Sequence, residues 1–176
     1  MNMSKLLGIV FLAAWLMAGC STVQTVGSEK LSGTEAWALL PFTNNTETPQ
    51  AGLRAEAITA NLLRGHGLTR LETYPAGLVT ETLLEPSDRK LGEKAVAWAK
   101  EQGVRYAVSG EVNEWRYKVG IDGEPAVGLT LQVLDLKDGR VVYSAAGGKS
   151  GWSREALSAV AQKLMKDMVT GITLTK

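Results

Sequence analysis

Apolar residues recur with two different spacings in the second half of the chain, and one spacing predicts a β-strand while the other predicts an α-helix. Alternate positions are apolar in one segment, at Val127, Leu129, Leu131 and Val133. That period is typical of a strand with one buried face. Farther on, apolar residues recur three and four positions apart, at Leu157, Val160, Ala161, Leu164, Met165, Met168 and Val169. This spacing predicts an amphipathic helix, with Ser153 as its N-cap. The chain must therefore pack a helix against a sheet.

Three upstream segments also have the composition of strands: residues 36–42, 68–74 and 104–119. The apolar phase shifts after Gly110 in the third, which predicts a bulge or kink at this glycine. Residues 120–125 are rich in glycine and predict a hairpin loop into the alternating strand. Asp138 and Gly139 predict a tight turn into a last strand over residues 141–145.

Capping signals predict two more helices. Thr48 followed by Pro49 marks the start of the first, which is expected to end at Gly65. Ser87 is the predicted cap of the second, and Gly103 lies just past its end. The resulting order is βαβαβββα. It predicts a single α/β domain in which helices pack on a mixed β-sheet whose last strands are antiparallel.

The N-terminal segment has the composition of an export signal. About a dozen apolar residues follow Lys5, and as a helix they would span about 18 Å, too short for a permanent membrane span. The run ends in Leu-Met-Ala-Gly-Cys, which resembles the bacterial lipobox, and Cys20 is the only cysteine. We interpret residues 1–19 as a lipoprotein signal peptide and Cys20 as the lipidated (palmitate-bearing) residue. By this resemblance, Ser21 favours sorting to the outer membrane. The alternative is an incidental cysteine in an apolar leader.

The next segment differs in composition from both its neighbours. Residues 20–34 are mostly small and polar, with isolated valines and no sustained period. We interpret them as a lipidated flexible tether. Residues 35–176 are then the periplasmic domain, which is long enough to bury one hydrophobic core.

Charge is balanced overall but unevenly distributed. One of the 19 basic residues precedes Cys20, so 18 remain to balance the 18 acids. This balance does not indicate a nucleic-acid partner. Six acids lie close together in sequence: Glu111, Glu114, Asp122, Glu124, Asp135 and Asp138. From Arg140 onward basic residues dominate. The distribution is compatible with an acidic face and a basic face, or with a solvated mixture of the two.

The chain contains a fragment of one nucleotide-binding motif but lacks the other residues that the motif requires. Residues 148–150 read Gly-Lys-Ser, but a phosphate-binding loop would need glycine at position 143, which is Tyr143. We interpret the nearby Gly147, Gly148 and Gly151 as a flexible turn. We predict no catalytic residue, cofactor or metal.

His66 is the only histidine and lies between two glycines, which indicates an ordinary residue in a helix-ending turn. Glu111 and Glu114 are the nearest approach to a carboxylate pair. A spacing of three places them on opposite faces of a strand unless a bulge intervenes. Acid–base catalysis by this pair is therefore a weak alternative to a solvated sheet edge.

Trp152 lies in the sequence Lys-Ser-Gly-Trp-Ser-Arg. A tryptophan in a glycine-rich turn with basic residues on both sides suits an exposed anchor at a membrane surface or a subunit contact. A tryptophan just before a helix can also staple the first turn to the core. Both interpretations stay open at this stage.

Several segments resemble a known family of lipoproteins. They include Trp-Ala-Leu-Leu-Pro-Phe with the Thr-Glu-Thr-Pro-Gln-Ala-Gly-Leu-Arg stretch after it, the strand over residues 104–118, the hairpin over residues 131–145 and the Gly-Trp turn. Together they resemble the PelC family of the Pel exopolysaccharide secretion system. The weaker segments are also similar to the TolB N-terminal domain, LpoB and CsgG.

The resemblance implies a non-enzymatic outer-membrane lipoprotein that faces the periplasm and forms a homo-oligomeric ring. In that family the ring guides a cationic exopolysaccharide to the porin PelB during biofilm formation. By position, Trp152 matches an exposed tryptophan that meets the membrane, and the six acids supply candidates for the guiding surface. The alternative is an LpoB-like lipoprotein that activates a cell-wall synthase by protein contact.

Overall fold

A mixed sheet with three long antiparallel strands forms the centre of the structure. The computed structural model describes residues 21–27, 29–78, 88–120 and 123–175. The strands in this part of the chain are β1 (Ser21–Val26), β2 (Leu31–Ser32), β3 (Trp37–Leu39), β4 (Thr43–Asn44), β5 (Leu71–Thr73), β6 (Tyr106–Tyr117), β7 (Pro125–Asp135), β8 (Arg140–Ser150) and β9 (Leu174–Thr175). The helices are α1 (Ala51–Gly65), α2 (Asp88–Glu101) and α3 (Leu157–Thr170), with a 3₁₀ turn at Ala76–Leu78.

The strand order of the main sheet is β1-β8-β7-β6-β3-β5, and β4 also pairs with β6. β6, β7, β8 and β1 are antiparallel, while β3 pairs in parallel with both β5 and β6. β2 and β9 form a separate parallel pair. The predicted fold class, a mixed sheet packed with helices in the order βαβαβββα, is confirmed by β3, α1, β5, α2, β6, β7, β8 and α3.

One face of the sheet is covered by α1 and α3. Their inward side chains, among them Leu63, Leu164 and Met168, pack on Trp37 and Leu131 of the sheet. All five are almost fully buried. Burial of each such side chain contributes about 1.5–3 kcal/mol, so this layer is the main core of the fold.

The opposite face is covered only in part. α2 packs its Ala95 and Ala99 in one buried cluster with Ala38 of β3 and Ala107 of β6. Polar residues of β7 on this face, such as Gln132, are only half-buried. In the ranges of the chain that the structure describes, the remaining surface of β6, β7 and β8 is therefore an open, polar sheet face.

The prediction of a flexible tether over residues 20–34 is wrong for β1 and for β2, where Leu31 is buried in the main core and pairs with β9. Ser21–Val26 forms an edge strand that pairs with β8 at six consecutive positions. Only Val23 packs against the core, so the segment lacks the apolar alternation that marks a strand in sequence. Main-chain pairing to β8 holds it instead. Cys20 and the signal segment lie outside the described residues.

Two helix caps and one turn also differ from the predictions. α1 begins after Gln50, because the Thr48 hydroxyl donates to the carbonyl of Trp115 on β6 and does not cap the helix. Ala156, not Ser153, precedes α3. β8 continues through Gly147 and on to Ser150, so the predicted flexible turn begins only after the strand. The cap at residue 87 lies outside the described residues.

The bulge in β6 lies at Asn113, not at Gly110. The register with β7 shifts between Val112 and Glu114, whereas Gly110 pairs regularly with Leu131. A Cβ at Gly110 would lie 2.5 Å from the ring of Phe42. Gly110 is therefore needed for the close approach of Phe42, and not for a kink.

We expect Gly110→Ala to destabilise the domain by about 1–3 kcal/mol, because the methyl group would overlap both the Phe42 ring and the backbone carbonyl oxygen of Thr130. Thermal unfolding measures the effect. Gly92→Ala is the control: Gly92 lies in α2, and a Cβ added there would meet no heavy atom within 4 Å. Alanine there should stabilise the helix by about 0.5–1 kcal/mol. Equal stability of the two variants would contradict this role of Gly110.

Candidate functional site

The bulge at Asn113 brings two predicted acids to one face of β6. Glu111 lies opposite Thr130 and Glu114 lies opposite Gly128, with Asn113 as the extra residue. Thr130 and Gly128 are two positions apart on β7, so they share a face, and so do the residues opposite them. Because of this bulge, Glu111 and Glu114 lie on the same side of the sheet, its open face, although they are three residues apart.

An asparagine from the preceding loop orders the polar groups around Glu111. The Asn45 side-chain amide donates to Glu111 Oε2 at 3.3 Å and to Asn113 Oδ1 at 3.0 Å. Asn113 in turn donates to the Thr130 hydroxyl at 3.2 Å. The carboxylate of Glu111 remains exposed to solvent. It is therefore oriented by its neighbours and still free to meet a ligand.

A groove of 860 Å³ opens beside these residues. The loop over residues 46–49 and residues 113–116 of β6 line it, together with Gly128, which lies opposite Glu114 on β7. The hydrogen bond from Thr48 to the Trp115 carbonyl ties the loop to the strand. Glu47 and Glu114 line the groove, and Glu111 lies beside it on the same strand. We call this feature the acidic groove (Glu47, Glu111 and Glu114).

The charge of the acidic groove is net negative. Arg116 is the basic residue in its lining, and its Nε lies 2.9 Å from Glu114 Oε1. Glu47 and Glu111 are both exposed. Within the described part of the chain Arg116 pairs with Glu114 alone, so the three carboxylates outnumber the one guanidinium and leave a surface that attracts cations over about a Debye length, roughly 8–10 Å in salt near physiological strength.

Sequence reasoning missed Glu47 as part of this surface. Glu47 lies far from the acid-rich segment in sequence, and only the pairing of β4 with β6 brings its loop to the groove. β4 is two residues long, Thr43–Asn44, and polar. No hydrophobic period marks so short an element.

Asp135 belongs to the interior of the fold and not to an acidic surface. It is 5% exposed, its carboxylate is paired with Arg105, and it accepts a hydrogen bond from the Lys137 backbone N–H at 2.9 Å. The pairing with Asp135 raises the pKa of Arg105. The prediction that Asp135 faces a polymer is wrong, because separating this ion pair would leave a buried charge.

The remaining predicted acids lie at two ends of the sheet. Asp138 accepts hydrogen bonds from Nε and the backbone N–H of Arg140, and the bond to the Arg140 side chain lowers the pKa of Asp138. Glu124 lies at the other end of β7, 3.9 Å from Nζ of Lys118. An 11-residue strand separates Glu124 from Asp138, a distance of about 35 Å. The acid-rich segment therefore does not form one surface. Asp122 lies outside the described residues.

Trp152 is exposed, and the alternative of a core staple is wrong. Its side chain is 56% exposed, and two other apolar residues at this end of the sheet, Tyr117 and Val119, are 50% and 101% exposed. The three lie where β6 and β8 end and β7 begins. We call this surface the apolar end (Tyr117, Val119 and Trp152).

Hydrogen bonds hold the turn that carries Trp152. The Trp152 backbone N–H donates to Glu155 Oε2 at 3.2 Å, and the hydrogen bond from Lys163 lowers the pKa of Glu155. The Tyr117 hydroxyl donates to the Glu155 carbonyl and accepts from the backbone N–H of Leu157. These bonds fix the start of α3 to the end of β6. Trp152 is therefore presented by an ordered turn.

Other chemistry-bearing residues have structural roles or lie apart. His66 ends α1, as predicted, and its Nε2 also donates to the carbonyl of Ile172 at 2.7 Å, a contact that the sequence did not predict. Lys149 lies within β8, so residues 148–150 have no phosphate-loop geometry. In the part of the chain that the structure covers, no three His, Cys, Asp or Glu side chains converge on a metal position. The helices described there are too short or too polar to cross a membrane.

Comparison with known proteins identifies the relatives of this chain. No protein-family model and no curated protein matches it. Two solved structures of PelC dodecamers from Paraburkholderia phytofirmans are 38% identical to it, with TM-scores of 0.75 and 0.76. Each alignment covers 89% of this chain and 100% of the relative. A lipoprotein from Neisseria meningitidis shares the fold, with 18% identity, a TM-score of 0.57 and coverage of 78% of this chain and 97% of its own. Because 38% identity extends over the whole of the PelC structures, the chain belongs to the PelC family.

Proposed function

We propose that this protein is a lipoprotein attached through Cys20 to the periplasmic face of the outer membrane. There it assembles into a homo-oligomeric ring and guides a cationic exopolysaccharide, Pel, to a PelB-like porin. Its role is to bind and orient, without catalysis. The observation that carries the proposal is the 38% identity to PelC dodecamers over their full length.

A closed ring requires two different complementary surfaces on each subunit, because neighbours contact each other head to tail. The dodecamers of the Paraburkholderia relative provide the precedent. In such a ring every surface feature of one subunit is repeated around the axis. The acidic groove of each subunit, with two carboxylates in its lining and Glu111 beside it, would become a circle of negative charge.

The acidic groove supports a cationic polymer as the ligand. A polymer in transit needs many weak contacts, since one tight site would stall it. Exposed carboxylates provide such contacts, because surface ion pairs contribute only about 0–1 kcal/mol each. Glu47 and Glu111 are exposed, and within the described ranges of the chain neither forms an ion pair with a lysine or an arginine, so both remain available to amino groups.

The apolar end supports contact with the membrane. Tryptophan and tyrosine favour the interface between lipid and water, where one part of the ring system is apolar and the other is polar. Trp152 and Tyr117 have this amphipathic character, and the strand that follows Cys20 starts at the same end of the sheet. The attached lipid and Trp152 would then meet the same leaflet.

We expect the purified lipidated protein in detergent to have the mass of an assembly of many chains. Light scattering coupled to size-exclusion chromatography measures it. Repeating the measurement on protein released from lipid controls for detergent-driven association. A monomer under both conditions would contradict the ring.

We expect the triple variant Glu47→Gln, Glu111→Gln and Glu114→Gln to lose most of its retention on an immobilised, deacetylated galactosamine polymer. The wild-type retention should fall as salt shortens the Debye length to about 3 Å near 1 M. The matched control replaces three exposed acids outside the groove, Glu29, Glu72 and Glu101, and has the same net charge. Equal losses in both triple variants would show that only net charge matters and would overturn the role of the groove.

We expect Trp152→Ala to impair Pel export while the free energy of unfolding changes by less than about 0.5 kcal/mol, because the side chain is exposed. Trp115→Ala, at a 2% exposed position, is the contrast and should cost about 3–5 kcal/mol. Thermal unfolding and export in cells that lack the native protein are the two measurements. A large loss of stability in Trp152→Ala would contradict its role as a surface contact.

A further inference from the structure

The strand next to the proposed lipid is paired along its whole length. β1 pairs with β8 from Ser21 opposite Lys149 to Val26 opposite Ser144. Ser21 follows Cys20 directly, so the two Cα atoms are about 3.8 Å apart. A residue that carries several acyl chains is thus attached to the sheet by one peptide bond. A flexible tether would have separated the two.

Two glycines make room for β1 at different points. A Cβ at Gly147 of β8 would lie 2.5 Å from the Thr22 carbonyl oxygen and 3.1 Å from Val23 Cγ2. A Cβ at Gly27, which follows β1 with a φ of +113°, would overlap the Val142 carbonyl oxygen. Side chains at either position would push β1 away from β8. Gly148, the neighbour of Gly147, has only one atom near its Cβ position, at 3.8 Å.

The register of β1 also decides which part of the domain lies near the lipid. Ser21 is opposite Lys149, and Trp152 follows three residues later. The Cα atoms of Ser21 and Lys149 are about 5.5 Å apart across the strand pair, and three further residues reach at most about 11 Å. The Cα atoms of Ser21 and Trp152 therefore lie within about 17 Å of each other. The antiparallel pairing therefore places Ser21, the residue after Cys20, near the apolar end.

We infer that β1 is an anchoring strand, which fixes the distance and orientation of the domain relative to a lipid bilayer, and that Gly147 and Gly27 allow it to dock. This inference rests on the proposed lipidation of Cys20. With β1 docked, the lipid and Trp152 enter the same membrane surface together. The ring axis is then held in a constant direction relative to the membrane.

If β1 separated from β8, the chain between the lipid and the folded domain would become longer. Residues 20–30 would become a flexible chain between the lipid and Leu31, which stays paired with β9. A flexible chain of that length has an end-to-end distance of about 18 Å. This is enough to lift Trp152 out of the interface, while the lipid itself remains inserted.

The test uses the full-length lipidated protein in vesicles of phosphatidylethanolamine and phosphatidylglycerol that contain brominated acyl chains, which quench nearby tryptophans. The contribution of Trp152 is the difference between each protein and the same protein with Trp152→Phe. Hydrogen exchange over residues 21–26 reports whether β1 is docked. Mass spectrometry of the N-terminal peptide reports the lipid on Cys20.

In Gly147→Ala and in Gly27→Ala we expect fast hydrogen exchange of the β1 amides and an unchanged lipid mass. We also expect the quenching of Trp152 to fall by about twofold or more, because the released chain allows the domain to move about 18 Å from the lipid. Gly148→Ala should behave as wild type. Gly67→Ala is the control for backbone strain, because Gly67 has a φ of +115° and no atom near its Cβ position. Gly27→Ala also separates the effect of β1 from the contact between Gly147 and Leu164 of α3.

Three outcomes would overturn the inference. Slow exchange of β1 in both variants would show that the glycines do not control docking. Fast exchange with unchanged quenching would show that β1 does not set the position of Trp152. Absence of lipid on Cys20, or of Trp152 quenching in the wild type, would overturn the proposed membrane attachment and this inference with it.

Discussion

The pairing of β6 with β7 is the interaction on which the rest of the structure depends. It places Val112 and Trp115 on the same buried face even though they are three residues apart, because Asn113 is the extra residue of a bulge. In a regular strand that spacing would expose one of the two, with a loss of about 3–5 kcal/mol if the tryptophan left the core. The same bulge turns Glu114 to the open face beside Glu111. One backbone irregularity thus serves the core and the acidic groove together.

The charged residues of this domain fall into groups that differ in what surrounds them. Asp135 is buried and pairs with Arg105, whose side chain is partly exposed, so the carboxylate would lose its charged partner if the pair separated. Asp138 and Glu155 are held by neighbouring basic side chains, whose hydrogen bonds lower the pKa of both carboxyls. Glu111 is bonded to an uncharged amide, so its negative charge is directed toward solvent. The position of a charged residue in the sequence does not show which group it belongs to, because all of these residues occur within or near the same hairpins.

The main elements could be predicted because their apolar periods match the surfaces that they bury. α3 is the clearest case: Val160, Leu164 and Met168 repeat every four residues and all three are buried. β1 could not be predicted in this way. Its stability comes from main-chain hydrogen bonds to β8 and from space left by Gly147, and neither is visible in the residues of β1. The prediction of Thr48 as a helix cap was wrong for a related reason, because its hydroxyl donates to a carbonyl on a distant strand.

The sequence by itself determined the fold class and the family resemblance, because periodicity, glycine placement and local motifs are short-range properties. It left open whether Trp152 is exposed, which the tertiary structure decided. The tertiary structure decided which acids share a surface and where Ser21, next to Cys20, lies. Both depend on pairing between residues far apart in the chain, such as Thr43 with Glu111 and Ser21 with Lys149. A short polar strand carries no hydrophobic signal of its own, so its partner is known only when the sheet is assembled.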